Sequence, residues 1–447
     1  MITSISPIDG RYRKTVEGLA EYFSEFALIK NRLRMEVEYL IFLSEKGAVR
    51  KLKGEEVAFL RKIYTDFMEK DAEDVKAIEH KINHDVKAVE YYIKGKIKGK
   101  SVEDLSEKIH ICLTSEDANN IAYALSMKEF LEEIFLEEVS AIGRSLGGLV
   151  KKNKSVVMVA RTHGQAAVPT TLGKEFLVFK SRLERQTKSL EGIKVTAKLN
   201  GAVGNYNAHV AAYPKVDWPK FSMEFIGNFN LEPNLITTQI EPHDNLAEIF
   251  HNIIRINNIL LGLDRDMWAY ISMDYLRQKV EKGEVGSSTM PQKVNPIDFE
   301  NSEGNLGIAN ALLEHFCDKL PVSRMQRDLS DSTVLRNIGV AMAHCIVGYK
   351  STLNGLGKVE VNGEAISQDL DGHPEIVAEG IQTILRREGL EGAYEKLKNL
   401  SRGKKIAKKD IETFIKGLPV SDTVKKDLLL LSQGKYVGLA EELCEKF

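Results

Sequence analysis

D-N-L-A-E-I-F-H-N-I-I-R-I-N-N-I-L-L-G-L-D-R-D-M-W-A-Y-I-S-M runs from Asp244 to Met273 without a proline. Within it Leu246, Ile249, Ile253, Ile256, Leu260, Leu263, Met267 and Tyr270 recur at alternating steps of three and four, the spacing of one helical stripe. At 1.5 Å per residue such a helix is roughly 45 Å long. Phe250, Ile254, Ile259 and Leu261 widen the apolar face beyond one seam, so several neighbours are needed to cover it. Similar tracts occupy Asn119–Lys152, Thr170–Leu199, Asp298–Leu320 and Asp331–Gly355. The expected fold is all-α: three mostly helical domains, with boundaries near residues 112 and 352, around a central bundle of long helices. The excess apolar width is read as subunit contact. Residues 1–112 carry shorter helical patterns, and 353–447 read as short charged helices. The longest irregular insert is expected at Asn200–Asp244, beside the bundle, where binding loops commonly sit.

Composition narrows the function. The chain has 447 residues, 62 basic and 64 acidic, so net charge recruits neither nucleic acid nor a membrane surface. No run of eighteen apolar residues occurs, and M-I-T-S-I-S-P-I-D-G-R-Y lacks the basic-then-apolar order of an export signal. Cys112, Cys317, Cys345 and Cys444 form no C-x-x-C pair and are expected as buried free thiols, which fits a cytoplasmic protein. Without G-x-x-x-x-G-K-[ST] or G-x-G-x-x-G, neither nucleotide-triphosphate hydrolysis nor dinucleotide redox chemistry has local support. The basic run Arg402–Lys409 reads as a solvated face.

The chemistry concentrates in five clusters. G-S-S-T-M-P-Q-K-V-N-P, Gly286–Pro296, supplies two hydroxyls and a cation, then a helix start with Asn295 as cap and Pro296 in the first turn. Free amides at that start favour an anion. Gly283 and Gly286 suit a moving loop, for which poor order is expected between about 280 and 293. A-R-T-H-G-Q-A-A-V-P-T-T-L-G-K-E, Ala160–Glu175, places His163 on a loop between a strand-like V-V-M-V-A and a proline-terminated turn. K-I-N-H-D-V-K-A-V-E-Y-Y holds His84 and Asp85; L-T-S-E-D-A-N-N holds Thr114 and Ser115 as helix caps. S-R-M-Q-R-D-L-S-D-S-T-V-L-R-N offers Arg327 and Arg336 as forked donors for phosphate or carboxylate. His80 and His84 imitate a metalloprotease pair, but Lys81 stands where glutamate is required, so no metal is expected.

G-S-S-T-M-P-Q-K-V-N-P resembles the defining loop of the fumarase and aspartase superfamily, whose members break a C–N or C–O bond and release fumarate. S-P-I-D-G-R-Y, N-H-D-V-K-A-V-E-Y, T-S-E-D, A-R-T-H-G-Q, N-G-A-V-G-N-Y-N-A-H, T-Q-I-E-P-H-D and R-D-L-S-D-S-T-V-L-R-N are similar to the bacterial branch of its adenylosuccinate lyase family. The resemblance covers nearly the whole chain and weakens over the last ninety or so residues, which carry none of these motifs. It implies a homotetramer with active sites built from three subunits, no cofactor, and small purine nucleotides as substrates: adenylosuccinate to AMP, and the succinyl-carboxamide ribotide SAICAR to AICAR. It further implies Ser287 as general base and His163 as general acid, with Lys293 and Asn295 at the developing negative charge and Val294 at a substrate-binding position. Arg11, Tyr12, Asn83, His84, Asp85, Thr114, Ser115, Gln239, Asn301, Arg327, Ser332, Thr333, Val334, Leu335 and Arg336 match positions that contact substrate.

Physically, the barrier lies in the charge that builds on a carboxylate as the succinyl β-proton leaves, so fixed donors there matter most. Serine is a weak base in water and needs the positive potential of Lys293 and loop amides with water excluded. A histidine is well matched to protonating a leaving nitrogen near pH 7. Argininosuccinate lyase, fumarase and aspartase share the loop, and crystallins reuse the scaffold without activity; the other clusters favour the purine substrate, and both Ser287 and His163 being in place speaks against a silent scaffold.

Overall fold

The computed structural model describes residues 2–280, 289–290, 292–401, 407–431 and 436–447. It is all-α apart from three two-stranded pairings. The stretch quoted above is one helix, Asp244–Ser272, and Leu246, Ile249, Ile253, Ile256, Leu260, Leu263 and Met267 are all buried along it. Phe250, Ile254 and Ile259 are buried as well, within a single chain. Most of the extra apolar width is therefore covered intramolecularly, while Leu261 is half-buried.

The other long tracts form with shifts that have local causes. Asn119–Lys152 is helix throughout, from Ser115–Phe130 through one π-helical turn, Leu131–Phe135, into Leu136–Asn153. The helix expected from Thr170 starts at Leu172, because Thr170 and Thr171 end a strand and Thr171 Oγ1 accepts from Lys174 N–H at 3.3 Å as a cap. It stops at Glu191, before Gly192, well short of Leu199. Ile297–Lys319 begins one residue before the tract expected from Asp298, but one after the Pro296 start implied by an Asn295 cap: the Pro296 carbonyl accepts the first helical bonds, so Pro296, not Asn295, is the capping residue. Asp331–Gly355 is two helices, Ser330–Leu335 and Ile338–Lys358, since the Asn337 carbonyl accepts from Val340 and Ala341 and starts a new helix. The insert at 200–244 is less irregular than expected: it contains the helices Asn207–Ala212 and Trp218–Gly227, the second anchored by Phe221 stacking edge-on against Phe42 at 4.7 Å.

The chain divides into two compact units, Met1–Val139 with Gln186–Asn258 and Gly304–Gly348, and Ser140–Arg185 with Ile259–Glu303 and Tyr349–Phe447. The first has a core running from Ile29, Leu33 and Val37 to Val102, Leu105 and Ile109. The second has one that joins Val159 to Ile376, Ile381, Leu385, Ile411, Ile415 and Leu428, so the short charged helices after 353 bury one face each. Cys317, Cys345 and Cys444 are buried and Cys112 is half-buried; all four are free thiols. No helix among the described residues is long and apolar enough to cross a membrane.

Periodicity did not reveal the polar rungs inside the long helices. In the first unit Asn257 Nδ2 donates to Asn310 Oδ1 at 2.8 Å. In the second, Thr352 Oγ1 donates to Asp264 Oδ1 at 3.0 Å while Asp264 Oδ2 is buried without a partner. Burial pushes the Asp264 carboxyl up to about 7, with the hydroxyls of Ser302 and Thr352 pulling only weakly the other way. The folded state therefore holds this proton between roughly pH 4 and 7 while the unfolded chain has lost it, so stability falls as pH rises through that window. Asp264→Asn removes the penalty. It is expected to be more stable than the parent by about 2–4 kcal/mol at pH 8, with the gap closing toward pH 4. Urea denaturation at the two pH values measures this, and a gap that does not depend on pH contradicts it.

Candidate active site

Two separate halves of the candidate chemistry can be built from the residues upward. In the first unit, the T-S-E-D turn starts the Ser115–Phe130 helix: Thr114 N–H donates to Asp117 Oδ2 at 2.9 Å, a first-turn carboxylate reaching back to the residue before the helix. The other oxygen of Asp117 accepts from Asn200 N–H at 3.1 Å and Gly201 N–H at 3.3 Å, and lies 2.8 Å from Lys198 Nζ. Lys198 Nζ also donates to the Gly201 carbonyl at 2.9 Å. Both side chains are fully buried. The N-G-A-V-G-N loop is thus tied to the turn that bears Thr114, Ser115 and Glu116. Gly204, at φ +80, passes so close to Thr237 that an added Cβ would lie 2.1 Å from its carbonyl oxygen, which is why glycine stands there.

Next to this turn the arginines assemble. Arg327 Nη1 donates to Gln239 Oε1 at 3.1 Å, and Nη2 lies 3.1 Å from Glu116 Oε2 and 3.7 Å from Asp331 Oδ1. Arg336 Nη1 donates to the Ser332 carbonyl at 3.0 Å and to Ser332 Oγ, while Nη2 meets Asp85 Oδ2 at 3.4 Å. Arg32, almost wholly buried, joins the two ends: its Nη2 donates to Asp85 Oδ2 at 2.8 Å and its Nε to Asn119 Oδ1 at 2.9 Å, and Asn119 Nδ2 donates to Glu116 Oε2 at 3.4 Å. One relay of hydrogen bonds and ion pairs therefore runs Arg336, Asp85, Arg32, Asn119, Glu116, Arg327, Gln239. It links four of the sequence motifs through three guanidinium groups held by carboxylates. Burial would raise the Asp85 carboxyl, but Arg32 and Arg336 outweigh it and hold it below the usual range.

The neighbouring predicted residues take their places from backbone geometry. Asn83 ends the Glu69–Ile82 helix in the left-handed region, φ 55, and His84 caps the next helix, its Nδ1 accepting from Lys87 N–H at 3.2 Å. His80 and His84 thus lie on either side of a helix end and not along one helical face. Arg11 and Tyr12 sit on the N-terminal turn, where Tyr12 N–H donates to the Pro7 carbonyl at 2.8 Å. Thr333, Val334 and Leu335 belong to the short Ser330–Leu335 helix, with Leu335 buried.

In the second unit, His163 lies at the tip of a hairpin, Val157–Thr162 paired with Gln165–Thr171. His163 at φ 53 and Gly164 at φ 74 are the two central residues of a type I′ turn, and the His163 side chain is exposed there. The proline does not end a turn: Pro169 lies within the second strand, opposite Val159. Two residues before His163, Arg161 Nη2 forks onto Asp369 at 2.8 and 2.9 Å and its Nη1 donates to the Tyr275 hydroxyl at 3.0 Å, which also bonds Asp369. Lys293 and Val294 are exposed ahead of the Ile297–Lys319 helix, Asn295 is half-buried, and Asn301 Nδ2 donates to Ser351 Oγ at 2.7 Å. Ser287, with Gly283 and Gly286, lies outside the described residues, as does most of the stretch expected to be poorly ordered.

Arg32, Glu116, Asp117, Lys198, His243 and Asp331 were not singled out from the sequence. Glu116, Asp117, His243 and Asp331 lie inside quoted motifs without having been given a role, and the T-x-x-D spacing also marks Asp117 as a cap partner; Arg32 and Lys198 carry no such signal. Among the described residues, one oxygen each of Glu116 and Asp331 and one ring nitrogen of His243 lie within 4.8 Å of one another, a spacing that suits a metal ion. Arg327 already lies against both carboxylates, so positive charge is supplied there by a guanidinium.

A family model described as Lyase matches residues 10–310, and one described as Adenylosuccinate lyase C-terminal matches residues 323–437. Curated relatives named adenylosuccinate lyase are 46% identical over 443 residues in Escherichia coli K12, covering 98% of this chain and 97% of the relative, and 50% identical over 453 residues in Dictyostelium discoideum, covering 98% and 97%. The chain belongs to the adenylosuccinate lyase family. The family likeness extends through the C-terminal helices to residue 437, beyond the last of the motifs quoted above. Among solved structures, a fumarate lyase from Mesorhizobium sp. BNC1 superposes with a TM-score of 0.77 at 16% identity, covering 96% of this chain and 97% of that one. A β-carboxy-cis,cis-muconate cycloisomerase from Acinetobacter calcoaceticus sp. ADP1 gives 0.74 at 17%, with the same coverage. At that identity they establish the fold of the adenylosuccinate lyase chain and nothing finer.

Proposed function

We infer that this adenylosuccinate lyase family member eliminates fumarate from adenylosuccinate to leave AMP, and from SAICAR to leave AICAR. The observation that carries the reading is the relay in the first unit: Arg327 and Arg336, each backed by a carboxylate, present an array suited to a phosphate monoester beside the N-H-D and T-S-E-D turns. In the reaction, Ser287 takes the β-proton of the succinyl group, the C–N electron pair leaves to the nitrogen as the double bond of fumarate forms, and His163 returns a proton to that nitrogen. Lys293 and the amides at the start of the Ile297–Lys319 helix face the carboxylate on which charge builds. An imidazole at the tip of a two-residue turn is free of its own strands, which suits it to reach a substrate held elsewhere. A homotetramer with each active site drawn from three subunits, working in the cytoplasm, completes the reading.

Incubating the purified protein with adenylosuccinate, SAICAR and argininosuccinate in turn, and following fumarate by its ultraviolet absorbance, tests it. Release from the two purine substrates alone is the expected result. Release from argininosuccinate alone, or from none, overturns it.

A further inference from the structure

The structure assigns a second role to the cluster beneath Arg327. We propose that Glu116 is the built-in counter-ion of Arg327, and that it gives up this role by taking a proton when an anionic ligand reaches the guanidinium. The inference rests on the reading above, in which Arg327 meets the phosphate of AMP.

The geometry carries it. Glu116 Oε2 lies 3.1 Å from Arg327 Nη2, but Glu116 Oε1 is buried with no hydrogen-bond partner. Asp331 Oδ2 and His243 Nε2 are likewise buried and unpartnered, in residues 2% and 3% exposed. These three residues place one acceptor each within 4.8 Å of the others, so a proton arriving on Glu116 finds a place to be shared. The charged and titratable neighbours of Glu116 come from several segments. Arg327 and Asp331 lie after Ser323, Lys198 directly follows the Thr196–Ala197 strand, and Tyr123 lies on the Ser115–Phe130 helix of Glu116 itself. His243, itself facing Glu241, precedes the Asp244–Ser272 helix, and Asn119 shares the helix of Glu116. Burial, the largest influence, pushes the Glu116 carboxyl up to about 7 against the pull of Arg327, with Asp331 adding to the rise, while burial lowers His243 against Glu241 and Asp331.

In the empty site the ionised carboxylate neutralises Arg327. A phosphate dianion arriving on the other side of the guanidinium both replaces that counter-charge and repels the carboxylate across a poorly screened interior, so the carboxyl binds a proton. The consequence is thermodynamic: AMP binding and proton uptake favour one another.

Titration calorimetry of AMP into the intact enzyme at pH 7.5, in two buffers of different ionisation enthalpy, reads the protons exchanged. At that pH the nucleotide phosphate, whose second pKa is near 6, is already mostly dianionic and releases few protons of its own. Wild type is expected to take up roughly half a proton or more per site, and Glu116→Gln close to none beyond that background. Asp331→Asn removes a charge that raises the Glu116 carboxyl, so its uptake maximum is expected to move to lower pH; this keeps the test decisive if Glu116→Gln fails to fold. AMP binding without uptake in wild type, or with equal uptake in Glu116→Gln, overturns the proposal and leaves the assigned function intact. No AMP binding by wild type overturns both.

Discussion

Ser287→Ala is expected to lower turnover of adenylosuccinate by about two to four powers of ten, equivalent to about 3–5 kcal/mol of transition-state stabilisation, while AMP still binds within about twofold of wild type. The split follows from the assigned work. A proton is taken only as the transition state forms, so removing the hydroxyl leaves the anion-binding relay of the first unit untouched. Serine needs positive surroundings to act as a base, a task the proposed reading gives to Lys293 and the helix start at Ile297. Steady-state kinetics with fumarate as readout and calorimetry with AMP give the two numbers. Turnover within about threefold of wild type would show that the base lies elsewhere. A parallel loss of AMP affinity would show that the loop shapes the pocket instead of acting on the proton.

Asp117→Ala is expected to cost about 3–5 kcal/mol of stability and to lower the thermal midpoint by more than about 5 °C. Asp117 and Lys198 are fully buried, and the one carboxylate satisfies three backbone N–H groups and the ammonium. Truncating it leaves a buried cation with the Gly201 carbonyl as its partner and three unpaired amides. The double variant Asp117→Leu with Lys198→Met is expected to recover part of the cation's cost but not the amide bonds, since nothing replaces the oxygens that held the loop. A single variant that melts within about a degree of wild type would remove this account of how the glycine-rich loop is fixed.

Helix content and the long central helices were legible because burial imposes a period on the chain: Leu246 to Met267 declare a face whatever covers it. Motif residues such as Asp85, Arg327 and Arg336 were legible through resemblance, and the structure brings those three and Gln239 into one relay. Boundaries were less legible. Thr171 starts a helix through one cap bond and Asn337 through its carbonyl alone, and each competes with equally plausible continuations. The hairpin that presents His163 escaped notice as a hairpin because its turn, His-Gly, is not the Asn-Gly or Asp-Gly pair that usually advertises one. Arg32 escaped altogether, one polar side chain among Lys30, Asn31, Arg34 and Glu36 in the Glu25–Glu45 helix, meeting its partners 53 and 87 positions away.

The sequence by itself determined the all-α class, the long helices and the family, since periodicity and contiguous motifs are properties of neighbours along the chain. Only the tertiary structure decided that Glu116, Asp331 and His243 converge beneath Arg327, and that the fully buried Lys198 neutralises Asp117. The reason is physical: a buried charge is tolerable only beside its partner, and those partners come from segments far apart in sequence that folding alone brings within hydrogen-bond reach.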